Sequence, residues 1–168
     1  MMIEHCAGLT YADLKEDINY CEAVPGGINI ARRDFYETVG LQDDKLFMFS
    51  DEVDMGIRAK KNGYTIASIK NAIVCHEHID KNSDRGRREP YTKYLAGRNK
   101  VYLAKKHFGA LKVIYVFLFY FFGAFYKIIT NTFKLNLSIV QDYLWMMLGS
   151  FMGFIGNMSS NRFSKPSE

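Results

Sequence analysis

With 168 residues the chain is long enough for one core, yet its apolar residues crowd into the last third and leave roughly a hundred residues for a soluble domain. Its 22 Lys and Arg against 18 Asp and Glu give a formal charge of +4 and a pI near 8.9, which suits an anionic substrate or membrane surface and is too mild for a nucleic-acid partner. Cys6, Cys21 and Cys75 are odd in number and lack the paired spacing of a zinc site, so they read as reduced cytosolic thiols.

Residues 1–24 form a leader without a clear structural signature. The opening Met1-Met-Ile-Glu-His-Cys6 is neither basic nor followed by an apolar run, which predicts no signal peptide, and Asp13-Leu-Lys-Glu16-Asp17 is a charged, helix-like stretch. A domain over 25–110 follows. Pro25-Gly26-Gly27 predicts a tight turn. Asp34 and Glu37 read as a capping pair for a short helix that aligns Phe35 with Val39 and stops at Gly40.

The densest chemistry lies in Phe47-Met-Phe-Ser50-Asp51-Glu52-Val53-Asp54-Met-Gly56-Ile57-Arg58-Ala59-Lys-Lys-Asn-Gly63-Tyr64. Ser50 is placed to cap a helix, Val53 and Ile57 share its buried face, and Gly63 supplies the left-handed residue that ends it. Asp51, Asp54 and Arg58 fall on one face at three- and four-residue spacings, so the arginine restrains those acids. Glu52 points elsewhere, above Gly56 and Ala59, whose small side chains leave room for a ligand. Acids crowded in this way can act as a general base or help to hold a cation; taken alone, they more often complement the helix dipole.

Tyr64–Ile69 and Ala72–Cys75 read as two short strands on either side of a Lys70-Asn71 turn, with His76 at the end of the second and His78 two residues on. An arginine-rich polar loop from Asp80 to Pro90 leads to a helix with Tyr91, Tyr94, Leu95, Arg98 and Tyr102 on one stripe. Residues 111–158 are apolar. Val113 to Tyr126 carries no charge and apolar character continues to Phe133, about the length that spans a bilayer, while the many aromatics suit an interfacial or re-entrant helix equally well. A second uncharged run covers Tyr143 to Asn161. The competing reading is a buried core pair, which so small a soluble part could hardly cover. Lys100, Lys105, Lys106 and Lys112 place the soluble part on the cytoplasmic side, and the polar tail over 159–168 predicts disorder.

The order of Gly26-Gly27-Ile-Asn29-Ile-Ala-Arg32-Arg33, Phe35 to Leu41, the acid block, Val74-Cys75-His76 and Tyr94 to Arg98-Asn99 resembles the C-terminal half of a family 2 glycosyltransferase of the GT-A fold, rhamnosyltransferase-like, between about Pro25 and Phe108. The resemblance implies an α/β fold, the C-terminal part of a GT-A domain, followed by membrane-associated helices. It implies inverting transfer from a nucleotide-diphosphate sugar to a glycan or lipid-linked acceptor in surface-polysaccharide synthesis.

In that family the acid block usually reads Glu-Asp-x-Asp, with the base at its second position. Here Asp51-Glu52-Val53-Asp54 puts Glu52 there, with Asp51 as the reserve and Asp54 as support. A glutamate reaches one methylene further than an aspartate and has a similar intrinsic pKa, so it can perform the same proton transfer. The resemblance also implies a divalent metal, Mn or Mg, held on the leaving-group side by His76 or His78, which sequence does not separate. Arg58, Arg85 and Arg88 become candidate substrate contacts, the last two with Arg87 in a loop that could fold over phosphates. Gly26 and Gly27 would allow close backbone approach to sugar or acceptor, and Asn29 could donate to a sugar hydroxyl.

The family's nucleotide-binding half, with its Asp-x-Asp motif, has no counterpart in these residues. The expectation is therefore a fragment, a split enzyme or a remnant, inactive alone and dependent on a separate chain for the donor pocket. Two other classes are open: a non-catalytic small membrane-associated partner protein, in which Asp51 to Arg58 is a solvated helix face, and a metal-binding regulatory module built from His76, His78 and the acids.

Overall fold

The structure, a computed structural model, describes residues 16–23, 29–72 and 90–159. These fall into two compact units. One comprises the described residues up to 43 together with 51–72, the other 44–50 together with 90–159.

The first unit contains α1 (Arg33–Val39), α2 (Asp51–Lys61) and an antiparallel pair of four-residue strands, β1 (Ile18–Cys21) and β2 (Ile66–Ile69), in register Ile18 opposite Ile69 and Cys21 opposite Ile66. Of the two strands expected on either side of Lys70-Asn71, the first is β2, whereas the second falls largely outside the described residues: Ala72 lies in no strand, and 73–75 are not among them. Among the described residues the partner of β2 comes from the leader, 48 residues earlier at the Ile18–Ile66 start positions. A four-residue strand beside a charged run is too short for its alternation to stand out.

Helix α1 forms where expected but not by the expected cap. Its N-cap is Arg32, without a side-chain bond; Asp34 instead pairs with Arg32 at 2.6 Å and Glu37 with Arg33 at 3.1 Å. Gly40, at φ +84°, ends it, a backbone conformation that glycine adopts without a Cβ penalty. Tyr64 packs edge-on against Phe35, with ring centroids 5.1 Å apart, and ties the end of α2 to α1.

The second unit is helical: α3 (Pro90–His107), α4 (Ala110–Phe133) and α5 (Leu137–Ile155). Proline at the first position of α3 needs no N–H partner there. Asn136 caps α5 by accepting from the Ile139 N–H at 3.5 Å, and Gly156 closes it in the left-handed conformation. Helices α3 and α5 run parallel and very close. A Cβ on Gly97 would strike the Met146 carbonyl, one on Gly149 the backbone of Tyr94, and one on Gly153 the backbone of Arg98. Helix α4 folds back along α5, with Phe117 stacked on Phe154 at 4.5 Å, and also touches α3.

Among the described residues helix accounts for 65%, with one two-stranded antiparallel sheet, so the α/β layering expected from the sequence is not present in them. Helix α3, grouped by sequence with the acid block, packs with the two apolar helices. Helix α4 is long and apolar enough to cross a membrane, and Ala124 is its one buried residue, which is inconsistent with a buried core helix.

Candidate active site

The acid block forms the first turn of α2. Asp54 is fully buried, and its Oδ2 accepts from Arg58 Nε at 2.9 Å. This is the pairing that the four-residue spacing predicts. The remaining Arg58 donors turn to the end of α1 and the turn beyond it: Nη1 donates to the carbonyls of Val39 and Gly40, and Nη2 to that of Leu41 at 2.8 Å. Four bonds leave at most one of five guanidinium N–H groups for anything else. The substrate contact expected of Arg58 is therefore corrected to a structural one, fastening α1 to α2.

Asp51 and Glu52 are half-buried, and Gln42 Nε2 lies 3.4 Å from Asp51 Oδ2. The room expected above Gly56 is not there. A Cβ on Gly56 would collide with the Glu22 carbonyl and press on Ala23, and Ala59 has no exposed surface. These small residues let the chain after β1 lie directly on α2, with Lys60 pairing to Glu22 at 2.7 Å beside it. A three-residue spacing of small side chains signals close approach without saying by what; here the occupant is the protein itself.

In the second unit, three residues of the segment leading to Asp51 take left-handed backbone conformations: Phe47 at φ 56°, Phe49 at 68° and Ser50 at 69°. For residues with a Cβ each costs on the order of 1 kcal/mol, so other contacts must hold them. Asn99 does so, its Nδ2 reaching the carbonyls of Leu46 at 2.8 Å, Met48 at 2.6 Å and Phe49 at 2.9 Å. Arg98 donates to Asn99 Oδ1 at 2.9 Å, to Lys45 O at 2.9 Å and to Met158 O at 3.1 Å. Both side chains are fully buried. Burial pulls the Arg98 guanidinium below its ordinary pKa, and the neighbouring Tyr94 opposes that shift. The Ser50 cap is a further correction: its Oγ is buried and makes no hydrogen bond.

Sequence singled out the Arg98-Asn99 pair but gave it no chemistry, because its partners are backbone carbonyls some fifty residues away. Asn29 is exposed and outside any regular element. Gly26, Gly27, His76, His78, Arg85, Arg87 and Arg88 lie outside the described residues. Among the described residues no group of three or more His, Cys, Asp or Glu side chains is placed to hold a metal ion. Two shallow surface depressions, one lined by Arg32, Arg33, Asp34 and Glu37 and one by residues including Tyr20, Lys60 and Tyr64, contain none of the three acids. Comparison with family models, curated proteins and solved structures finds no match to this chain.

Proposed function

We propose that the chain is the acceptor-side part of an inverting family 2 glycosyltransferase of the GT-A type, acting at the cytoplasmic face of a membrane with a separate chain supplying the nucleotide-binding half. The observation that carries this reading is the division of labour in the acid block. Asp54 is buried and committed to Arg58, so base chemistry falls to Asp51 or Glu52 in the first turn of α2. Of these, the resemblance favours Glu52; the filled stripe over Gly56 does not.

In this reading a Glu52 carboxylate oxygen takes the proton from the acceptor hydroxyl as that oxygen bonds to the anomeric carbon. The bond from that carbon to the nucleoside diphosphate breaks on the opposite face, its electron pair leaves with the diphosphate, and the configuration inverts. A divalent metal belongs to the proposal only through the resemblance, by way of His76 and His78.

The test is transfer of labelled sugar from a set of nucleotide-diphosphate sugars in membranes of cells that make the chain. Glu52→Gln is expected to lower transfer by about a hundredfold or more with acceptor binding kept. Unchanged transfer in both Glu52→Gln and Asp51→Asn overturns the reading. The filled stripe over Gly56 and the exposed α4 favour a second reading, a non-catalytic membrane-associated partner protein, for which neither substitution changes anything.

A further inference from the structure

Helix α4 presents an apolar face that no described residue of its own unit covers. Leu111, Tyr115, Phe119, Phe122, Tyr126 and Phe133 recur at three-, four- and seven-residue spacings and are 58–86% exposed, on the side away from buried Ala124. Exposed Lys112 and Lys127 flank this face, and Lys134 follows its end. Phenylalanine and tyrosine in one stripe with lysine at its edge suit the boundary between acyl chains and anionic headgroups.

The 24 residues of α4 extend about 36 Å, enough to cross a bilayer. What opposes crossing is the company that α4 keeps. It lies antiparallel to α5, and α5 is locked to α3 through backbone-to-backbone contacts at Gly97, Gly149 and Gly153, so the three helices run side by side. The Phe117–Phe154 stack and the Gly153–Arg98 contact put Arg98 level with a residue about 10 Å inside α4. An upright α4 would carry most of α3 into the hydrocarbon, including half-exposed Lys93 and Lys100, while Lys105 and Lys106 would stay level with the first turn of α4. With α4 lying flat, only the aromatic face enters the lipid, α5 sits behind it, and the lysines of α4 meet the headgroups.

We infer that α4 lies in the plane of an anionic bilayer interface, as a monotopic helix with its Leu111–Phe133 face immersed, and does not span the membrane. This deepens the membrane half of the reading above and rests on it, but not on sugar transfer.

Vesicle binding tests the first part and helix depth the second. In a Trp145→Phe background, Leu111→Trp, Phe122→Trp and Phe133→Trp are bound to phosphatidylcholine–phosphatidylglycerol vesicles carrying bromines at shallow or deep acyl positions. The expected result is shallow quenching at all three positions and a partition coefficient at least about tenfold lower without phosphatidylglycerol. Polarised infrared dichroism of the unsubstituted chain on a supported bilayer of the same lipids, which needs no variant to fold, should show helices parallel to the surface. Deep quenching at position 122 with shallow quenching at 111 and 133, or helices along the bilayer normal, overturns the in-plane orientation while leaving membrane association standing. Failure to bind anionic vesicles, or dimerisation in solution that removes binding, overturns both.

Discussion

Arg58 and Arg98 do the same job in the two units by different means. Each is buried or nearly so, and each gathers carbonyls from a neighbouring loop: Val39 to Leu41 for Arg58, Lys45 and Met158 for Arg98. Arg58 also has a carboxylate partner, Asp54, one turn away on its own helix. Among the described residues Arg98 has none, and leans on the amide of Asn99 and the ring of Tyr94, 5.9 Å from its guanidinium carbon. A charge neutralised within one helix makes that helix a rigid local unit; a charge satisfied by distant carbonyls makes a rigid tertiary joint.

The contrast breaks most sharply at Arg58. Arg58→Met leaves Asp54 buried without its counter-charge and should cost about 3–5 kcal/mol in urea unfolding of the full chain. Adding Asp54→Asn should recover part of that loss, which a double-mutant cycle reads directly. Asn99→Leu should cost about 2–3 kcal/mol by the same measurement, because carbonyls of Leu46, Met48 and Phe49 lose their donor while three left-handed residues lose their restraint. Gly149→Ala comes next, at about 1–3 kcal/mol, since its methyl meets the Tyr94 backbone and α3 and α5 must separate to admit it. The Lys60–Glu22 pair, 53% and 28% exposed, marks the lower end: Lys60→Ala should cost less than about 1 kcal/mol.

What the sequence made legible follows the range of the interactions. The Asp54–Arg58 bridge is written in a four-residue spacing, the end of α1 in Gly40, and α4 in its uncharged run; all are local signals. The pairing of β1 with β2, the contact of Glu22 with Gly56 and the carbonyl clamp of Asn99 join residues 34 to 53 positions apart. No periodicity encodes them. Gly56 was the most misleading residue, because a missing side chain signals close approach by a ligand or by the chain with equal force. The glycines of α5 carried the same ambiguity. Their reading as a seam against α3 needed the facing helix, and with it came the reason to lay α4 flat.

The measurement that bears most directly on the proposed activity compares Glu52→Gln with Asp54→Asn in the same preparation, reading sugar transfer and urea unfolding together. The account predicts that Glu52→Gln abolishes most transfer with native stability, whereas Asp54→Asn loses stability through the Arg58 joint. Transfer at the unsubstituted rate in a stably folded Glu52→Gln chain would contradict the choice of Glu52 as base, and the same result in Asp51→Asn as well would contradict the activity.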